Sequence, residues 1–134
     1  MKQRLALVVD DEPVIRVMLT RILRTEGFEV IEAADGASAY QAFQSSPGID
    51  VVVTDIEMPG LSGLELAAEA RRRGVTARII ILTTFARPGY LRRALDAGAS
   101  GYLLKDAPSH RLADAIRRVH AGGRAVDPEL AAEA

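Results

Sequence analysis

Residues 51–60 read Val51-Val52-Val53-Thr54-Asp55-Ile56-Glu57-Met58-Pro59-Gly60. The first half is a β-branched run suited to a buried strand. The second half puts a carboxylate at the end of that run and follows it with Pro-Gly, a turn signature. A charge at the end of a buried strand is costly unless something uses it. The question is which other groups meet Asp55.

Working outward, the same design repeats. Residues 5–9 are an apolar run ending in Asp10-Asp11. Pro13 opens a helical pattern with Val14, Val17, Met18, Ile22 and Leu23 apolar; proline suits a first turn because its missing N–H costs nothing there. Residues 28–33 have strand character, and 37–44 fit a short helix after Asp35-Gly36. Residues 49–54 are the next strand, followed by a helix from 64 to about 73 that Gly74 closes. Strand 78–83, helix 88–97, strand 101–104 and a helix opened by Pro108 complete the order. The last helix has Leu112, Ala115, Ile116 and Val119 on its apolar face, which leaves His110 and His120 facing solvent.

Five strand–helix repeats with short connections predict a doubly wound α/β domain with a five-stranded parallel sheet and five helices. The strands mostly lack polar alternation, as strands buried on both faces do. Composition agrees with a single packed domain: 134 residues, of which 49% are hydrophobic. The absence of cysteine excludes disulfides and thiolate metal sites, and it suits a reducing, cytoplasmic setting. No apolar run is long enough for a membrane span, so membrane insertion is not expected. With 17 basic and 18 acidic residues, the chain has no strong electrostatic pull on nucleic acid.

In such a sheet, ligands bind at the C-terminal ends of the strands. The first strand ends in Asp10 and Asp11, the third in Asp55. These carboxylates should converge, repel and raise one another's pKa unless a divalent cation joins them. An all-oxygen set suits Mg²⁺, or Mn²⁺, and disfavours zinc. The fourth strand ends in Thr83-Thr84, and Lys105 follows the fifth. Carboxylate, metal, ammonium and hydroxyl together suit phosphoryl transfer onto a carboxylate. Asp55 would attack phosphorus, Lys105 would neutralise developing charge, and Thr83 would bond a phosphoryl oxygen. Taken singly, an Asp at a strand end is often a helix cap, and a Lys after a strand is usually solvated. The combination in this order outweighs those readings.

The pieces VVDDEP (8–13), TDIEMPGLSG (54–63), ILTTF (81–85) and GYLLKD (101–106) resemble the receiver domain of bacterial two-component response regulators. The resemblance covers roughly residues 4–122. It implies a flavodoxin-like receiver fold with strand order 2-1-3-4-5. It also implies Asp11 as direct metal ligand with Asp10 assisting, Asp55 as phosphoacceptor, and the Glu57 backbone carbonyl as a further ligand. Thr83 and Tyr102 become the switch pair, Tyr102 rotating inward behind Thr83. Such a domain catalyses its own phosphorylation, with a sensor histidine kinase as donor, and its own slow dephosphorylation, without being an enzyme in the ordinary sense. Glu57 and Phe85 are expected to rim the path of hydrolytic water, and the bulk of Phe85 predicts slow decay.

The segment from Thr83 to Arg124 is similar to the NarL/FixJ class, whose output is a helix-turn-helix DNA-binding domain. TTFARPGY (83–90) resembles, within that class, regulators paired with a membrane-fluidity thermosensor kinase. The expected division is a receiver at 1–123 and the start of a linker or tail at 124–134, with the output domain absent. DNA would then be reached only through that missing domain. Homodimerisation on phosphorylation is implied, through helices one and five (Met18, Ile22, Leu112, Ile116) or through helix four, strand five and helix five. A haloacid-dehalogenase-type phosphatase would want its DxD pair after the first strand, and a nucleotide binder a glycine-rich loop there; the chain has neither. The serious alternative is a degenerate or stand-alone receiver used only as a protein-interaction module.

Overall fold

Each apolar run serves two cores. Along the third strand, β3 (Val51–Asp55), Val52 faces one side of the sheet while Val51 and Val53 face the other. The same alternation places Leu7 and Val9 opposite Ala6 and Val8 on β1 (Arg4–Val9). It places Ile79 and Ile81 opposite Ile80 and Leu82 on β6 (Arg78–Thr83). Continuous hydrophobicity is therefore required, because neither face of these strands meets water. A computed structural model describes residues 4–58 and 60–132; Pro59, in the expected turn, lies outside them.

The remaining strands are β2 (Phe28–Ala33), the two-residue β4 (Glu57–Met58) and β5 (Leu61–Ser62), β7 (Gly101–Leu104) and β8 (Ala125–Val126). The helices are α1 (Pro13–Thr25), α2 (Gly36–Ser45), α3 (Gly63–Arg72), α4 (Tyr90–Asp96), α5 (Ser109–His120) and α6 (Pro128–Ala132). The main sheet is parallel with order β2-β1-β3-β6-β7-β8. Its first five strands are the expected 2-1-3-4-5 arrangement. Helices α1 and α5 cover one face, through Leu19, Leu23, Leu112, Ile116 and Val119. Helices α2, α3 and α4 cover the other, through Phe43, Leu66, Ala67 and Ala94. Asp35 caps α2 by accepting from Ser38 N at 2.8 Å, and Ser62 caps α3 by accepting from Glu65 N at 3.0 Å.

Past residue 123 the described chain continues into the fold: β8 adds a sixth strand beside β7, and α6 buries Leu130. Several expectations need correction. Pro88 does not open α4, because Gly89 adopts a left-handed φ of 78° and the helix starts after it. Leu112 and Ile116 are buried against the sheet and are not free to pair with another chain. His120 is half-buried, its ring edge-on to Phe28 at 5.2 Å; His110 is exposed as expected. Among the described residues, no helix is long and apolar enough to cross a membrane.

Candidate functional site

The strand ends are tied by backbone hydrogen bonds that run past the sheet proper. Asp10 N donates to Ala33 O at 3.1 Å, Ile56 N to Leu82 O at 2.8 Å, and Lys105 N to Thr83 O at 2.8 Å. The ladder thus fixes the residues on which Asp10, Asp55 and Lys105 sit. All three side chains are buried, while Asp11 is exposed at the rim. Behind Asp55, the first residue of α3 must be glycine: a Cβ on Gly63 would lie 2.5 Å from Asp55 O. Gly63 N donates instead to Ile56 O at 2.8 Å, pinning the helix against the loop.

Lys105 gathers the cluster. Its Nζ lies 3.0 Å from Asp10 Oδ2, 2.9 Å from Glu12 Oε1 and 3.3 Å from Asp55 Oδ2. The contact with Asp10 Oδ2 is an ion pair without the alignment of a hydrogen bond, and that buried oxygen has no other partner. Carboxylate oxygens of Asp10, Asp11 and Asp55 come within 4.8 Å of one another. One ammonium does not balance Asp10, Asp11, Glu12 and Asp55. The donors are all oxygen, so the site fits a hard divalent cation such as Mg²⁺. Burial pushes Asp55 up to about 6, with Asp10 and Asp11 adding to the rise and Lys105 opposing it. Burial works against the charge on Lys105, yet its hydrogen bond to Glu12 and the nearby carboxylates of Asp10 and Asp55 outweigh this and raise its pKa.

Loops form the mouth. Glu57 N lies 3.4 Å from Asp55 Oδ1, at the outer limit of a hydrogen bond. The exposed Glu57 carboxylate pairs with the Arg87 guanidinium, which comes from the loop after β6. The same guanidinium lies over the Phe85 ring at 4.6 Å and the Tyr90 ring at 5.4 Å. Thr83 is buried, and its hydroxyl donates to Phe85 O at 3.0 Å. Tyr102 is only 1% exposed, so its ring already lies inward without any rotation. Its hydroxyl is buried with no hydrogen-bond partner, and burial raises the phenol's pKa.

The structure therefore brings together Asp10, Asp11, Asp55 and Lys105 as expected, with Thr83 and Tyr102 on adjacent strands beside them. Two residues escaped sequence reasoning. Glu12 was visible beside the acidic pair, but nothing marked it as a partner of Lys105. Arg87 left no local signal, because its partner Glu57 lies 30 residues away on β4.

The chain matches the response regulator receiver domain family over residues 6–117. It is 45% identical over 124 residues to the transcriptional regulatory protein DesR of Bacillus subtilis, covering 92% of this chain and 61% of that protein. It is 44% identical over 113 residues to the nitrate/nitrite response regulator NarP of Escherichia coli, covering 83% of this chain and 52% of that protein. A crystal structure of a LuxR-family two-component response regulator from Aurantimonas sp. SI85-9A1 superposes with a TM-score of 0.88 at 35% identity, covering 98% of this chain and 95% of that one. A doubly wound sheet with an acidic cluster and a lysine at its strand ends defines a phosphorylation-dependent receiver. The chain belongs to the response regulator receiver family, and the carboxylates of Asp10, Asp11 and Asp55 are its divalent-metal site. It spans about 60% or less of the length of these curated relatives.

Proposed function

We propose that Asp55 accepts a phosphoryl group from the phosphohistidine of a sensor kinase, in the cytoplasm. The observation that carries this is the placement of Lys105 Nζ 3.3 Å from Asp55 Oδ2 within a buried acidic cluster. A carboxylate oxygen of Asp55 forms the new O–P bond as the P–N bond breaks and the imidazole leaves. Asp10, Asp11, Asp55 and the Glu57 backbone carbonyl would hold Mg²⁺ or Mn²⁺, which would supply charge neutralisation for the phosphoryl oxygens. Lys105 supplies a fixed positive charge beside the acceptor, already desolvated before reaction. Thr83 gives up Phe85 O as its acceptor and donates to a phosphoryl oxygen, which draws the loop after β6 with it. Tyr102 supports Thr83 from its inward position.

Phosphorylation then favours pairing of two copies. The exposed Val14 and Val17 on α1, beside the half-buried Met18 and Ile22, favour the α1 side. The alternative α4–β7–α5 face has its strand edge taken by β8. Regulated transcription through a helix-turn-helix domain carried elsewhere in the protein is supported by the relatives, two of which are named as transcriptional or response regulators. Pairing with a kinase that senses membrane fluidity rests on TTFARPGY (83–90). Residues 1–123 would be the receiver unit, with the segment after it leading to the output.

Incubation with acetyl phosphate and Mg²⁺, followed by intact mass, tests the core of this reading. One phosphoryl adduct is expected, lost in Asp55→Ala. No adduct under these conditions would leave a receiver that acts only as an interaction module.

A further inference from the structure

Residues 125–132 lie on the sheet edge nearest the switch pair. Ala125 N donates to Ser100 O at 2.9 Å, and Asp127 N donates to Tyr102 O at 3.0 Å. Leu130 is 2% exposed and packs in the same core as Tyr102. Asp127 is buried; its Oδ1 accepts from Glu129 N at 3.1 Å, and its Oδ2 lies 3.7 Å from Arg111 Nη1 on α5. Ala125 is buried in the core on the other face, and Val126 packs against the core that holds Leu130. The segment is thus held by the β7–β8 ladder, these short apolar contacts and one long ion pair.

Open grooves border it. One of about 210 Å³ is lined by Leu130, Tyr102, Leu91, Ala86 and Arg87. Another of about 250 Å³ is lined by residues 125–128 with Leu103, Arg111 and Arg118. A two-residue edge strand bordered by such grooves belongs to the low end of local stability. β3, hydrogen-bonded on both sides to β1 and β6, belongs to the high end.

The walls of the first groove are parts of the switch. Ala86 and Arg87 belong to the loop that Thr83 holds through Phe85 O. If Thr83 turns to a phosphoryl group on Asp55, that bond breaks and the loop loses its tether. One wall of the groove beside Leu130 is then free to move, which weakens the docking. The strand edge that Ala125 and Asp127 occupy is the backbone of Tyr102 and its neighbours.

We infer that residues 125–132 are a displaceable strap, whose docking surface is the β7 edge with the groove beside Tyr102, occupied while Asp55 is unmodified and vacated when Asp55 is phosphorylated. This rests on the reading of Asp55 as phosphoacceptor. Coupling of this kind is reciprocal, so weakening the strap must tighten binding of a phosphoryl analogue.

The test uses the full chain with Mg²⁺ and fluoroberyllate, which occupies the phosphoryl position. Amide exchange is followed at Ala125, Asp127 and Leu130, with Val52 as an internal reference. On occupancy, strap amides should exchange roughly 5- to 100-fold faster, while Val52 stays protected. Leu130→Ser should show fast strap exchange without the analogue and bind fluoroberyllate roughly 5-fold tighter or more. Asp127→Asn, which keeps the side-chain shape, should shift both readouts the same way by less. Analogue bound with strap exchange unchanged or slowed would overturn the strap, leaving the phosphoacceptor reading intact. Failure to bind fluoroberyllate, together with no acetyl phosphate adduct, would overturn both.

Discussion

The strand ends and the mouth loops of this site are built on different physics. Asp10, Asp55 and Lys105 are buried, and the sheet's hydrogen bonds fix their backbone. Glu57, on the two-residue β4, and Phe85 and Arg87, on the loop after β6, are largely exposed or half-exposed and are held by an ion pair and cation–ring contacts. Buried charges of the first kind resist salt and keep their geometry; exposed pairs of the second kind are weak and screened. Chemistry is thereby placed where nothing moves, and the control of access where movement is cheap. The carboxylates can be close enough to bind a cation without the mouth being locked.

This contrast can be broken or sharpened by experiment. Lys105→Ala should give the largest effect, slowing phosphoryl uptake from acetyl phosphate by roughly 10²- to 10³-fold, because it removes a preorganised, buried charge from beside the acceptor. Initial rates by intact mass would measure it, and a change smaller than that of any mouth variant would erase the distinction between the two regions.

Next comes pH. The folded Asp55 carboxyl sits at about 6 against an ordinary 3.8. The folded state therefore holds a proton that the unfolded chain has released, and metal-free protein should lose stability as pH rises through that window. The whole shift corresponds to something on the order of 3 kcal/mol. Urea unfolding at several pH values would show this slope, and saturating Mg²⁺ should flatten it by favouring the ionised form. A metal-free slope of the opposite sign would mean that Lys105 dominates over burial.

Phe85→Glu should shorten the phosphoryl lifetime by up to roughly 10-fold, a change of about 1.4 kcal/mol in barrier, since a carboxylate orients water and a phenyl ring does not. Equal lifetimes would remove Phe85 from the water path. Arg87→Gln should act least. It frees the Glu57 carboxylate and unstacks Phe85, quickening decay by under about 5-fold, as befits an exposed pair worth up to ~1 kcal/mol. Glu57→Gln should match it without adding to it, and high salt should abolish the difference from wild type. Additive effects would show that the two residues do not act as a pair.

What could be read from the sequence follows the same division. The central strands were legible because their apolar runs are nearly uninterrupted, and β2, broken by Glu29 and Glu32, by its place between Gly27 and Asp35-Gly36. Asp10, Asp55, Thr83 and Lys105 were legible because each sits at a strand end. Glu12 and Arg87 were not, since a loop residue's partner depends on how distant loops meet in space. The strap was read as a linker because VDPEL has the composition of one, and a two-residue strand is too short to show a period. The inward seat of Tyr102 depends on Leu130 and the α4 side of the groove, neither of which its own strand announces.

The span from position 10 to position 105 also has a meaning for synthesis. The sheet joins β1 to β3 across β2, and Lys105 follows β7, so the site is complete only when that segment arrives. A chain emerging from the ribosome presents Asp10 and Asp55 well before Lys105. Until then the acidic groups have no counter-cation of their own and no reason to hold their final geometry. Competence to receive a signal therefore coincides with completion of β7, and a half-made receiver is silent by construction.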